Sequence, residues 1–305
     1  MKLKRPSFTA NSIALGVILM ILGQFMFAAN DTMGKVLVQG FAVGQLIVFR
    51  SIGAFIILTP MLSQKKPQDI IKPPRPYLLA LRGLCSLGDA IFFYSALIYL
   101  PLTDVMTFYM AVPIYVAVFS HFFLGERIAW RRWLAICIGF VGVVIAMRPS
   151  TNMISLPSAF ALFSSFCFTF VLILGRSLRS TSDTVSVAWQ NSIALVIGLF
   201  MIIGHWQTPD FSQSISLLLL GIVACIAHLL ISRSLKMAPA SVLAPLQYTM
   251  LLWGIVFDIV VFKHYPDAMI LLGAGIIVLA GLFIFHRKKV VTDHIPKSDV
   301  PNITH

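Results

Sequence analysis

Long apolar runs alternate with short polar links along most of the chain. Ten runs stand out, at roughly 12–30, 43–62, 77–98, 103–123, 130–147, 153–174, 185–203, 215–232, 238–260 and 266–286. Each is close to the ~20 residues that a helix needs to cross a bilayer. Inside lipid every backbone N–H and C=O must be bonded within the protein, which leaves helices or a closed barrel, and runs of this length predict helices. The expected fold class is therefore an all-α membrane protein with ten transmembrane helices. The links after the fourth and ninth runs are very short, so the bundle should be compact. The first run follows Lys2, Lys4 and Arg5, as a signal peptide would. It is too long for a signal core, and Phe27-Ala28-Ala29 is a poor cleavage site, so the run is expected to stay in the protein.

Composition agrees. Hydrophobic residues make up 58% of the 305 and charged residues 11%. A soluble domain carries about 25% charge, so an ordinary soluble enzyme is excluded. Disorder is excluded by the same hydrophobicity, except in the polar tail after Arg287. The net charge of +12 does not indicate nucleic acid, because the basic residues cluster in links between apolar runs. Cys85, Cys137, Cys167 and Cys225 lie inside runs and form no CxxC, so neither a metal nor a cofactor is expected. The sequon at Asn302 falls in the tail and carries no weight on the cytoplasmic side.

Charge fixes an orientation. Taking links alternately, 18 Lys and Arg fall on the side of the N-terminus. Three fall on the other side (Lys35, Arg148 and Lys263), and Arg50 and Arg82 lie within runs. This asymmetry puts both termini in the cytoplasm, and a multi-pass protein of the bacterial inner membrane is expected.

The chain also repeats itself. A shift of 141 places Phe25 on Phe166, Phe27 on Phe168, Gly34 on Gly175, Lys35 on Arg176 and Ser51-Ile52 on Ser192-Ile193. A shift of 138 places Gly83 on Gly221, Leu97 on Leu235, Pro101 on Pro239 and Val118-Phe119 on Val256-Phe257. Two five-helix halves follow, at 1–150 and 151–286, with a cytoplasmic tail at 287–305. Five is odd, so the second half must enter the membrane from the opposite side. Inverted repeats of this kind characterise alternating-access transporters.

Several stretches resemble the drug/metabolite transporter superfamily, in its EamA-type branch. They are Tyr99-Leu100-Pro101-Leu102-Thr103-Asp104, Pro113, Phe123-Leu124-Gly125-Glu126-Arg127-Ile128, Trp130-Arg131-Arg132-Trp133, Gly139-Phe140-Val141-Gly142-Val143 and Arg148-Pro149. The resemblance covers about residues 10–287. It departs in the second half, where Lys263-His264 stands in place of Gly125-Glu126. It implies a central cavity lined by helices 1, 3, 4, 6, 8 and 9, and movement of small organic metabolites. Asn30-Asp31, Arg50 and Arg82-Gly83 are similar to a subgroup that includes S-adenosylmethionine and riboflavin transporters.

The candidate site residues are polar or aromatic groups inside apolar runs. Asp89 ranks first, because a carboxylate in mid-membrane needs a partner or a task. Arg82, Ser86, Asp89 and Phe93 share one stripe of the third helix. Asp89 would bind a cationic group or a coupling proton; the alternative is a structural ion pair with Arg50 or Arg82. Arg50 suits a carboxylate or phosphate, or a structural pairing. Arg82 is near a helix end, where snorkelling also explains it. His228 could couple protons or be a hydrogen-bonded packing residue.

An aromatic and amide group fits a pocket for a flat or cationic ligand. It comprises Phe25, Phe27, Phe92, Phe93, Tyr94, Tyr109, Trp189, Gln190, Asn191, Gln247, Tyr248 and Trp253. Tyr109 and Tyr248 are favoured within it, on helices 4 and 9. Pro113 should kink helix 4 in its apolar middle, a kink that helix 9 does not duplicate. Asp31 with Lys35, and Asp258 with Lys263, His264 and Asp267, read as solvated or gate-like outer ends. Glu126 and Arg127 read as a topology anchor. The pairs Ala135/Gly139 and Ala194/Gly198 predict close helix packing.

The expected function is secondary-active transport of a small organic metabolite by alternating access, with proton coupling an open element. The expected partners are that metabolite, membrane lipid and, if transport is coupled, protons. No GxxxxGK[ST], HExxH or GxSxG occurs, and no Gly-rich filter loop is evident, which disfavours an ATP-driven pump, an intramembrane enzyme, and a channel or sensor.

Overall fold

The computed structural model describes residues 10–100, 102–124, 130–147, 156–262 and scattered positions from 268 to 279. Among them there are helices and no strands. Two long helices open the chain, α1 (Ala10–Leu37) and α2 (Val43–Leu62). A short surface helix α3 (Pro67–Ile71) lies in the link before α4 (Pro76–Tyr99). The fourth run is broken into α5 (Leu102–Tyr109) and α6 (Val112–Leu124), and α7 (Trp130–Met147) follows. The second half holds α8 (Leu156–Ser177), α9 (Asp183–Met201) and α10 (Phe211–Met237). Its fourth run is α11 (Ala240–Leu243), a 3₁₀ turn (Ala244–Tyr248) and α12 (Thr249–Phe262).

Six of these helices are long and apolar enough to cross a membrane: α1, α2, α4, α8, α9 and α10. At 1.5 Å per residue α1 is about 42 Å long, more than the ~30 Å hydrocarbon core, so it must tilt or project. The long ends matter. The run 12–30 stops short of Asp31, but the helix continues to Leu37. Backbone bonding carries it through the polar interruption, and there Thr32 satisfies its own hydroxyl on the Ala28 carbonyl at 2.8 Å. α10 also starts earlier than its apolar run. Asp210 accepts from the Gln213 N–H at 2.7 Å and Gln213 accepts from the Asp210 N–H at 2.9 Å, a capping box.

Pro113 does not kink a continuous helix. The helix has already ended at Tyr109, and Pro113 sits in the first turn of α6, where its missing N–H costs nothing. The corresponding run of the second half is interrupted too, by the 3₁₀ turn that contains Pro245. Both halves therefore carry a break, made differently.

The helices form a ring. α1 packs on α10, α10 on α2, α2 on α9, α9 on α4 and α4 on α8. α8 then meets α6, α6 meets the 3₁₀ turn, and α12 returns to α1. Glycines set the closest approach. A methyl at Gly53 would overlap the Leu218 carbonyl oxygen, and one at Gly221 would overlap that of Arg50. α2 and α10 thus touch backbone to backbone beside Arg50. Gly198 packs on Val48 and Ile47, and Gly139 on the ring of Tyr248.

Aromatic contacts cross between the halves. Phe25 meets Trp253 edge-on at 5.0 Å, and Phe166 stacks on Tyr115 at 4.6 Å. Phe27 meets Phe168 edge-on at 5.7 Å.

Candidate substrate cavity

A cavity of about 30 Å³ lies inside the ring. It is lined from α1 by Phe27, Asn30 and Asp31, from α2 by Arg50, and from α4 by Asp89, Ala90, Phe93 and Tyr94. Tyr109 of α5, Phe168 of α8 and Met250 of α12 complete it. Two carboxylates and one guanidinium thus share one small space, surrounded by aromatic rings.

Asp89 is held by two hydroxyls. Tyr109 donates to Asp89 Oδ1, and Ser164 donates to Oδ1 at 2.9 Å and to the Asp89 carbonyl at 2.9 Å. Tyr109 and Ser164 also bond each other. Among the described residues no ion pair joins Asp89 to Arg50 or Arg82. Asp89 is therefore held by neutral donors, which leaves its negative charge uncompensated by a direct partner. Asp31 is 7% exposed and faces the same cavity, not solvent. That corrects the reading of Asp31 as a solvated outer end, and the extension of α1 is the reason.

Arg50 approaches His228, with Nη2 3.4 Å from Nε2, and its Nε is buried without a partner. Helix 2 is not among the helices that the resemblance implies line the cavity, yet it brings Arg50 there, because Gly53 and Gly221 let α2 press against α10. His228 is also edge-on to Phe27 at 5.0 Å. From there the rings run on through Phe168, Tyr109 and Phe93 to Tyr94, with centroids 5.4–5.7 Å apart. The wall suits a cation or a flat heterocycle.

Other candidates lie elsewhere. Arg82 does not snorkel. It is 1% exposed and ties α4 to α9 and α10, donating to Ser186 Oγ at 3.0 Å and Ser232 Oγ at 2.9 Å. Hydroxyls of α9 and α10 compensate it, so it turns inward. Tyr248 donates to the Ile136 carbonyl at 3.0 Å and ties the 3₁₀ turn to α7. Asn191 bonds the Val187 carbonyl of its own helix. Trp189 points away from the cavity and donates to the Ile70 carbonyl at 2.8 Å. Ser86 and Gln247 are buried but do not line the cavity, and Trp253 packs on Phe25. The side chain of Asp258 lies outside the described residues, as do Glu126, Arg127, Lys263, His264 and Asp267.

Ser164, Asn30, Phe168 and Met250 join the site without having been named as candidates. Ser164 is half of a Ser-Ser pair inside an apolar run, and Asn30 precedes Asp31; both were visible as polar interruptions. Asn30 donates to the Leu220 carbonyl at 2.9 Å. Phe168 was visible only as the repeat mate of Phe27. Nothing in the sequence marked Met250.

The EamA-like transporter family matches twice, over residues 14–148 and 156–286. The chain belongs to the EamA-like transporter family. This EamA-like protein is 25% identical over 277 residues to a protein of Rickettsia bellii named S-adenosylmethionine uptake transporter, covering 90% of this chain and 95% of that one. It is 25% identical over 204 residues to a riboflavin transporter of Vibrio cholerae, covering 66% and 68%. A solved crystal structure superposes with a TM-score of 0.75 at 16% identity, over 92% of the EamA-like chain and 99% of that chain, a likeness of fold. The EamA-like chain is thus a multi-pass membrane protein of a transporter family.

Proposed function

We propose that this EamA-like protein carries a small zwitterionic metabolite with a cationic centre, of the S-adenosylmethionine class, across the bacterial inner membrane by alternating access. The observation that carries the reading is the cavity itself, in which Asp31, Asp89 and Arg50 face one space within an aromatic wall. Two carboxylates complement two cationic centres, and the guanidinium complements a carboxylate. The unpartnered Arg50 Nε is a donor free for such a group. The name of the Rickettsia bellii relative supports the same class. Riboflavin, which has no such charges, suits the cavity less well.

Alternating access rests on ten spans in two inverted halves, 1–150 and 151–286, with the tail at 287–305 and both termini cytoplasmic. Two family matches of similar length support the halves. So does the packing: α1 lies on α10 as α8 lies on α4, and α1 on α12 as α8 on α6. The Phe25–Trp253 and Phe166–Tyr115 contacts fall at repeat-related positions. A cavity of about 30 Å³ is well below the ~300 Å³ at which ligand pockets begin. The helices must therefore part to admit substrate. Asp89, Tyr109, Phe93 and Arg50 are the proposed binding residues, joined by Asp31. Asp89 and His228 are the proposed groups for proton coupling. A non-enzymatic role is part of the proposal, supported by the transporter family and the transporter names of the relatives.

The test is uptake into sealed proteoliposomes from a panel of S-adenosylmethionine, riboflavin and amino acids, with and without a pH gradient. Accumulation of S-adenosylmethionine above empty vesicles supports the reading, and gradient dependence supports proton coupling. Uptake of riboflavin in preference would overturn the charge argument.

A further inference from the structure

A second cavity lies on the outer surface of the bundle, away from the charged one. It is an apolar groove of about 520 Å³ between α2 and α9. Phe55 and Leu62 form one wall, Trp189, Ile193 and Ile197 the other, and Ile70 of the α3 link closes one end. The closure is fastened by the bond from Trp189 Nε1 to the Ile70 carbonyl. At that end the link carries Lys65, Lys66 and Lys72, all exposed, against one exposed carboxylate, Asp69.

We propose that this groove binds one anionic phospholipid, with an acyl chain in the groove and its headgroup among Lys65, Lys66 and Lys72. Four observations converge on that occupant. The lining is apolar almost throughout, and Val196 within it is exposed. From Ala188 to Ile197 the groove runs nine residues along α9, about 14 Å, close to the ~15 Å of one leaflet. Its basic end then falls at headgroup depth, where clustered Lys attracts anionic lipid. Trp189 occupies the same depth, as interfacial tryptophans do. A second copy of this chain would set like-charged lysines against one another, which favours lipid over self-association.

The groove also touches the transport frame. α9 carries Ser186, which accepts from Arg82, and Asp183, which pairs with Lys236 at 2.8 Å. A lipid wedged between α2 and α9 therefore braces the end of the bundle that Arg82 clasps.

Native mass spectrometry of the full-length protein tests this, titrating phosphatidylglycerol against phosphatidylcholine of the same chains. One phosphatidylglycerol is expected to be retained preferentially. The triple variant Lys65→Gln, Lys66→Gln, Lys72→Gln should weaken retention by about tenfold or more. Val196→Trp, which fills the groove, should abolish retention of both lipids at this site. All these residues are exposed, and thermal unfolding in detergent checks that the variants fold. Dibrominated phosphatidylglycerol should quench a tryptophan component that is lost in Trp189→Phe. Equal retention of the two lipids, or retention unchanged in both variants, would overturn the proposal. A dimer unaffected by lipid but broken by Val196→Trp would assign the groove to a second copy, and would also overturn it.

Discussion

Asp89 is bound by a phenol and a serine hydroxyl and makes no ion pair among the described residues. Asp89→Asn keeps the shape but removes the charge, and should abolish transport while expression persists; transport at the full rate would remove Asp89 from the mechanism. Tyr109→Phe deletes one bond to a charged group, worth about 1.5–3 kcal/mol. Substrate affinity should change by about tenfold or more, measured by calorimetry. Arg50→Gln should discriminate between ligands: binding of S-adenosylmethionine should weaken by about tenfold, and binding of its decarboxylated analogue should hardly change. Equal losses for both would show that Arg50 supports the fold instead. The sequence already singled out Asp89, Arg50, Tyr109 and Phe93, because a charge or phenol in an apolar run is conspicuous. It could not place them. Asp31 looked solvated because hydropathy falls at Asn30-Asp31, whereas backbone bonding carries α1 onward. Tyr248, Trp189 and Asn191 were equally conspicuous, but each bonds backbone elsewhere. Membrane helices bond many polar side chains to carbonyls, and one-dimensional pattern does not distinguish such a bond from a binding role.

Among the elements, α2 and α10 depend most on what is absent. A side chain at Gly53 or Gly221 has no room against the facing carbonyl. Gly221→Val should force α2 away from α10, lower the unfolding temperature in detergent, and separate Arg50 from His228. Tyr248→Phe is the contrasting case. It loses one bond to Ile136, about 1 kcal/mol, so stability should fall slightly and transport should continue. If Tyr248→Phe instead stopped transport at unchanged stability, the 3₁₀ turn would belong to the site. Apolar run lengths located most helices within a few residues. They missed the interruption at Met110–Ala111, because methionine and alanine are as apolar in a turn as in a helix, and they ran through Ala244–Tyr248 because hydropathy alone does not register the break at Pro245.

For the whole molecule, the ring order was not legible in the sequence, although the offsets of 138 and 141 hinted at it. Offsets pair equivalent positions; they do not state which helices touch. The contacts of Phe25 with Trp253 and of Phe166 with Tyr115 come from packing that joins the two halves. Orientation is checkable by labelling. A cysteine replacing Gln64, in the lysine-rich link, should react only from the cytoplasm, and one replacing Thr208, in the opposite exposed link, only from outside. Labelling of Gln64→Cys from outside would invert the proposed topology.

Tyr109 is the last residue of α5, and the chain turns at Met110 and Ala111 before α6 begins. The phenol that holds Asp89 is thus mounted on a joint. A swing of α5 about that turn must pull the hydroxyl away and bare the carboxylate. In the proposed cycle a cationic cargo that captured the carboxylate would compete with the phenol and free that joint. Cargo and tyrosine would then be rival keys for one lock, and arrival of cargo would itself be the permission to move.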